Sequence, residues 1–457
     1  MELIIAELAR YIIIILFALY TFYCFRAFAG KTADKKERVF RTQRIILVLI
    51  HMTGSVILIT GHMDEILKYL FLYVLQLAFF LVFIHIYQIF YKGLSKLVLN
   101  NMMACMMVGF LMLGRLQYGF ALKQLIMASA AMGLCLLVPF FIERFNFWEK
   151  LGWQYALAGI LFLLLVFVIG VDHYGAKNWI SLGGIELQPS EFVKIIYVFF
   201  VAGLLSKTTR FKHIVVITAL AAAHVVILVA ERDLGAALLY FVTYLVVLYV
   251  ATMQVGYLLA GLLAGSGAAV FAYHMFSHVQ TRVAAWQDPW SDIHHKGYQI
   301  SQSLFAICTG GFFGMGFGQG MPDTIPVAES DFIFAAISEE FGVIFSICLI
   351  LVYISSYIMF VNIAMKMKKR FYKLTAFGLS VVFIFQVFLC IGGVIKFIPS
   401  TGVTLPLISY GGSSIITTIL IFSIIQGMYV MNGKEVAEFE REDSQAGQRD
   451  GRRRRKE

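Results

Sequence analysis

The sequence predicts an all-α polytopic membrane protein, and three observations predict it. Hydrophobic residues make up 60% of the 457-residue chain and charged residues only 14%, against roughly 25% charged in an ordinary water-soluble domain. Apolar runs long enough to cross a bilayer follow one another almost end to end. The basic residues collect in short loops between those runs, so the net charge of +10 reads as a topology signal and not as a nucleic-acid surface. No water-soluble core can hide this much apolar surface.

Spans are expected near 6–27, 44–62, 67–90, 101–118, 122–142, 152–171, 190–206, 213–230, 233–251, 256–275, 332–361, 374–394 and 411–431. Each is close to the roughly 20 residues that cross the hydrocarbon core. The first run spans and no small-residue cleavage motif follows it, so no cleavable signal peptide is expected. Basic clusters follow span one (Lys31, Lys35, Lys36, Arg38, Arg41, Arg44), span three (Lys92, Lys96), span seven (Lys207, Arg210, Lys212) and span eleven (Lys366, Lys368, Lys369, Arg370, Lys373). With thirteen spans all of these fall on one side, which the positive-inside rule makes cytoplasmic. The N-terminus is then outside and the C-terminus cytoplasmic. The segments 172–189, 231–233, 276–331 and 395–410 are external. The tail, 434–457, is highly charged and lacks apolar periodicity, so disorder is expected there. Its Arg-Arg-Arg-Arg-Lys run suits either anionic headgroups or plain solvation. The six cysteines are scattered without a CxxC pair, which suggests neither a disulfide framework nor a metal site.

The large external loop, 276–331, is the polar island of the chain. It carries Arg282, Asp288, Asp292, His294, His295, Lys296, Asp323 and Glu329, and a polar loop between spans is where a membrane protein keeps chemistry or merely joins two helices. The adjacent histidines cannot converge on an ion as an i, i+4 helical pair does, and no HExxH is present. The run Gly314, Gly316, Gly318, Gly320 resembles a phosphate loop only superficially, because no strand precedes it and no Gly-Lys-Ser/Thr ends it. Turns or close backbone packing account for it better.

Polar residues also sit at the span ends. Glu191 and Lys194 open the seventh span after Gln188-Pro189-Ser190, three residues apart and thus on one helix face. They read either as a buried structural pair or as the lining of an outward-facing cavity. Glu231, Arg232 and Asp233 interrupt an apolar stretch, where charge needs water, a partner or a cavity; a tight external turn would also serve. The segment 398–414, rich in Pro, Gly, Ser and Thr, must be buried in protein or line a wet cavity.

Taken in order, these segments resemble the SEDS family of cell-wall proteins, the FtsW, RodA and SpoVE group. The matching stretches are GAKNWISLGGIELQPSEFVK (175–194), DLGAALL (233–239), RVAAWQDPWSDIHHKGYQISQSL (282–304), the glycine run from Gly310, SDFIFAAISEEFG (330–342) and PSTGVTLPLISYGGSS (399–414). They cover roughly residues 100 to 432, the family's ten-span core. The resemblance therefore implies three extra spans (1–98), a catalytic core (99–433) with its large external loop between spans ten and eleven, and a charged tail.

It further implies a peptidoglycan glycosyltransferase in the bacterial cytoplasmic membrane. Such an enzyme polymerises lipid II, the undecaprenyl-pyrophosphate-linked disaccharide peptide, beside a class B penicillin-binding transpeptidase, and uses no nucleic acid. The family's essential aspartate precedes Gly-Tyr-Gln, which matches Asp292 before Gly297-Tyr298-Gln299; Asp288 is the nearby competitor. Asp292 would be the general base. Arg282, Lys194 and Lys396 would compensate the pyrophosphate charge, alone or with a divalent ion (Mg or Mn), and Glu191, Glu231 and Gln299 complete the substrate-binding set. No metal-ligating residues are assigned.

The chain departs from the family at Ile293, where proline is usual, at His294, His295 and Lys296, which replace smaller residues, at Arg232, where proline is common, and at Asn178, where arginine is frequent. An arginine at 178 could touch phosphate, and Lys396 would take over that role here. A lipid II flippase and a non-catalytic scaffold for the transpeptidase are the competing readings. A flippase needs charges along a path through the bilayer, whereas these concentrate on the external side.

Overall fold

The structure, a computed structural model, describes residues 2–30, 32–173, 176–182 and 185–453. Among them, twelve helices are long and apolar enough to cross a membrane. The expected spans correspond to α1 (Glu2–Ala29), α2 (Ala33–Gly61), α3 (Ile66–Phe90), α4 (Lys96–Leu116), α5 (Tyr118–Cys135) continued by α6 (Val138–Arg144), α7 (Gly152–Ile169), α8 (Pro189–Leu205), α9 (Phe211–Ala230), α10 (Leu234–Thr252) and α11 (Val255–Met275). After the large loop come α14 (Ile333–Lys366), α15 (Arg370–Val394) and α16 (Gly412–Arg453). The expected span missing from those twelve is the seventh, α8, which at 17 residues is the shortest and stands at the lower limit for a crossing helix. It begins with Pro189 in the first turn, where a missing N–H costs nothing.

Three differences from the sequence reading have physical causes. The fifth span is two helices, because the chain turns at Leu136–Leu137 and restarts with Pro139 in the first turn of α6. The segment between α7 and α8, expected to be external, contains an antiparallel sheet in the order β1 (Val171–His173), β2 (Ala176–Leu182), β3 (Ile185–Leu187). Strands this short leave no periodicity to read beside long apolar runs. The backbone of α16 also continues as helix to Arg453, through the charged segment for which disorder is expected. That segment contains no proline to stop it. The end of the Arg-Arg-Arg-Arg-Lys run lies outside the described residues.

Helix α4 is the seam between the first three helices and the rest. It is completely enclosed along its membrane window. Asn101 on α4 holds both sides: its Oδ1 accepts from Tyr20 Oη of α1 at 2.9 Å, and its Nδ2 donates to Ser356 Oγ of α14 at 3.1 Å. On the adjoining position Asn100 Nδ2 donates to Gln43 Oε1 of α2 at 2.9 Å. Such bonds matter in a bilayer, where apolar burial alone does not drive helices together.

The large loop is itself ordered. It contains α12 (Ser277–Gln287) and α13 (Tyr298–Gly310), and its glycine-rich stretch is seated on a kink in α14. The kink is at Gly342, with φ of 81°. There the Glu339 and Glu340 carbonyls accept from Met315 N (2.8 Å) and Gly316 N (3.0 Å). A Cβ on Gly314 would lie 2.2 Å from the Glu340 carbonyl oxygen. The glycines therefore serve close backbone packing. The Glu340 carboxylate completes the joint, accepting from Arg115 Nε of α4 at 3.0 Å and from Gly318 N at 3.2 Å.

Candidate active site

Four connections meet at one end of the bundle: the sheet at 171–187, the α9–α10 corner, the 395–411 segment, and the large loop. The corner carries a carboxylate with four hydrogen-bond donors, the most of any among the described residues. Asp233 caps α10 by accepting from Ala236 N at 3.0 Å through Oδ1. Its Oδ2 accepts from Asn178 Nδ2 (3.1 Å), Gln188 Nε2 (3.0 Å) and Ser190 Oγ (3.1 Å). Asn178 is thus the carboxamide partner of a buried carboxylate, at a position where the family resemblance suggested a phosphate ligand. Arg232 turns the corner at a φ of 64°, a conformation closed to the proline that the family commonly has there.

Glu231, beside it, is 1% exposed and neither of its oxygens has a hydrogen-bond partner among the described residues. Burial, with the Asp233 charge adding to it, pushes its carboxyl up to about 8.

Helix α8 carries the expected pair. Lys194 donates to Glu191 and, at 2.9 Å, to Gln386 Oε1 of α15. Thr417 of α16 donates to the same Glu191 oxygen at 2.9 Å. The ammonium is buried and the carboxylate nearly so, so this is a buried ion pair with both ends hydrogen-bonded and the carboxylate partly open.

Helix α12 leans over the 395–402 turn. Arg282 Nη1 donates to the Ser400 carbonyl at 3.3 Å, and Trp286 Nε1 donates to the Lys396 carbonyl at 3.2 Å. Lys396 takes a φ of 60°, and its ammonium makes no ion pair among the described residues. Gly402 stands between Arg282 and Asp331: a Cβ there would lie 3.9 Å from Arg282 Nη2 and 4.0 Å from Asp331 Oδ2. Burial pushes the Asp331 carboxyl up to about 6, although the Arg282 guanidinium pulls the other way. His278, one turn before Arg282, is held below the usual imidazole range by burial and by the Arg282 and Arg232 charges. Asp331, Asp233 and His278 were missed as site residues. The first two lie inside the quoted motifs, but only the fold brings them to Arg282 and Asn178.

Asp292 lies in the compact turn after α12. Its carbonyl accepts from Gly297 N at 3.0 Å, and a Cβ on Gly297 would lie 2.0 Å from the Pro289 carbonyl oxygen, so the turn closes only around glycine. The Asp292 carboxylate is partly exposed and receives one long bond, from Lys296 N at 3.4 Å. Asp288 ends α12, is exposed, and accepts from Trp290 N at 3.1 Å through Oδ1. Gln299 reaches the Pro326 carbonyl at 3.5 Å. No hydrogen bond or ion pair among the described residues joins Asp292 to Arg282, Lys396, Glu191, Lys194 or Glu231. The site is two clusters at one end of the molecule, a free carboxylate on one side and cations over the 395–402 turn on the other.

Comparison with known proteins identifies the family and the fold. The family model described as cell cycle protein (FtsW, RodA, SpoVE) matches residues 89–432. Peptidoglycan glycosyltransferase RodA of Mycobacterium tuberculosis is 37% identical over 332 residues, 68% of this chain and 71% of the relative. Stage V sporulation protein E of Bacillus subtilis is 32% identical over 318 residues, 67% of this chain and 86% of the relative. Among solved structures, a peptidoglycan synthase complex described as coordinating polymerization and crosslinking superposes with a TM-score of 0.63 at 26% identity, covering 74% of this chain and 98% of that one. The rod shape determining protein RodA of Thermus thermophilus superposes at 0.54 with 25% identity, covering 74% and 97%. The chain belongs to the FtsW, RodA and SpoVE family.

Proposed function

We propose that this protein polymerises lipid II into glycan strands on the outer face of the cytoplasmic membrane, with Asp292 as general base. It is a peptidoglycan glycosyltransferase. The observation that carries the assignment of the base is the state of its carboxylate. Asp292 is partly exposed and receives only one long bond among the described residues, whereas Asp233 is consumed by four donors; Asp288 is exposed too and gives one oxygen to Trp290 N, so the family motif before Gly297-Tyr298-Gln299 decides between the two. A base must have a lone pair free for the incoming hydroxyl.

In the reaction Asp292 removes the proton of the acceptor sugar's 4-hydroxyl. That oxygen forms a bond to the anomeric carbon of the donor as the bond from that carbon to the pyrophosphate oxygen breaks. The lipid pyrophosphate leaves with the electron pair, and attack from the opposite face inverts the anomeric centre. Arg282 and Lys396 over the 395–402 turn are the cations for the developing charge. Lys194 is committed to Glu191 and Gln386, which makes it a link between α8 and α15 more than a direct phosphate ligand. Among the described residues no three His, Cys, Asp or Glu converge on one point. A divalent ion (Mg or Mn) would accordingly be held by one or two carboxylates and the substrate phosphates, with Asp331 beside Arg282 as the nearest carboxylate. It would supply further neutralisation of the leaving group.

The orientation that places this end of the bundle outside, with the N-terminus external and the tail cytoplasmic, rests on the basic loops. A class B penicillin-binding transpeptidase is the proposed partner, in keeping with the crosslinking component of the similar synthase complex. The test is polymerisation of lipid II by the purified protein with that partner, for the natural chain, Asp292→Ala and Asp288→Ala. Loss in Asp292→Ala alone supports the assignment. Full activity in Asp292→Ala overturns it.

A further inference from the structure

We propose that the groove between α2 and α3 is a binding site for an anionic phospholipid. Apart from Met103 and Met107 of α4, its lining lies on α2 and α3, ahead of the family match at 89–432, so it is a feature of this chain's N-terminal helices.

A cavity of about 480 Å³ runs along the two helices, closed at the back by Met103 and Met107 of α4. That is within the range of roughly 300–1,000 Å³ of pockets that hold sizeable ligands. Its flank is apolar and open sideways: Ile45, Leu49 and Leu81 line it and remain 54%, 38% and 44% exposed. One end is different. Helix α2 runs away from its basic N-terminal turns and α3 returns, so Arg41 and Arg44 of α2 meet His85 and Gln88 of α3 at the same membrane end of the groove.

Arg44 is braced by Gln88 Oε1 at 3.1 Å and by Glu37 at 3.6 Å. Arg41 lines the mouth, is exposed, and makes no ion pair among the described residues. Two further polar atoms line the cavity without partners among the described residues, Gln88 Nε2 and His51 Nδ1, both buried. An apolar slot open to the bilayer, ending in one free and one braced guanidinium and an orphaned amide donor, is complementary to one class of molecule. That molecule has acyl chains for the slot and a phosphate headgroup for the arginines. A zwitterionic lipid offers the same chains but meets the cationic mouth with a cation of its own. A helix of another protein would fill the slot but leave Arg41 and Gln88 unsatisfied.

The test uses the full-length protein in nanodiscs of equal parts phosphatidylglycerol and phosphatidylcholine, with release into the gas phase for native mass spectrometry. Phosphatidylglycerol should be retained in preference to phosphatidylcholine. Arg41→Gln should weaken that retention about five-fold, the size expected for one basic residue at an anionic headgroup. Lys212→Gln, which removes an exposed charge at the start of α9, should leave it unchanged. Arg41 braces no acidic group among the described residues, so its variant reports on the ligand and not on folding. A photo-crosslinking residue at Val48 should become attached to a phospholipid. Equal retention by the natural chain and Arg41→Gln overturns the proposal, as does attachment of Val48 to a polypeptide.

Discussion

Two aspartates at the same end of the molecule have opposite surroundings. Asp233 sits at a helix start, buried, with a backbone amide and three side chains donating to it. Asp292 sits in a loop turn, partly exposed, with one bond of 3.4 Å. A carboxylate whose lone pairs are all engaged holds elements together, here β2, α8 and α10. A carboxylate left unengaged on a rigid turn is available for a proton. The contrast teaches that burial and partner count separate a carboxylate that builds this end of the molecule from one that is open to a substrate.

The largest expected effect tests the free side of the contrast. Asp292→Ala should lower polymerisation by about 10²–10⁴-fold, the usual contribution of a positioned base, while thermal unfolding in detergent stays unchanged. The next tests the engaged side. Lys194→Met leaves Glu191 with Thr417 as its remaining donor in a nearly dry setting, and breaking such a pair costs about 3–5 kcal/mol; a large fall in unfolding temperature is the readout.

Glu231 sharpens the comparison through pH. Its carboxyl is raised from 4.5 to about 8, so the folded state binds the proton more tightly than the unfolded one. The Glu231 contribution to stability should be greatest below pH 4.5, fall as pH rises through the window to about 8, and level off above it. Glu231→Gln should flatten the part of the slope between about pH 6 and 8, above the range of Asp331, as measured by unfolding at a series of pH values. The smallest effect is expected at Lys396. Its ammonium makes no ion pair among the described residues and the side chain is partly exposed, so Lys396→Ala should raise KM for lipid II several-fold with little change in unfolding temperature.

Much of this was legible in the chain. Long apolar runs and basic loops announce helices one by one, and the start of α8 at Pro189 followed from local rules alone. The pairing of Glu191 with Lys194 followed from a spacing of three. The glycine run reads as turns or close backbone packing, and the fold shows the packing, since Gly314 admits no side chain against Glu340. What was not legible depends on tertiary approach. The partnership of Asn178 with Asp233 spans 55 residues. The contact of Arg282 with the Ser400 carbonyl spans 118. The break between α5 and α6 lies inside a continuous apolar run, where hydropathy has no contrast to offer. The role of Asn101 in bolting the extension to α14 also lies beyond pattern, because an asparagine in an apolar helix says that a partner exists without saying where.

The most direct test of the account compares isosteric changes at the two aspartates, Asp292→Asn and Asp233→Asn, in lipid II polymerisation normalised to folded protein. The account predicts that Asp292→Asn folds normally and loses activity. It predicts that Asp233→Asn, which turns an amide toward three donors, yields less folded protein whose remaining molecules polymerise within a few-fold of the natural chain. Normal polymerisation by Asp292→Asn, or loss of activity per folded molecule in Asp233→Asn alone, would contradict it.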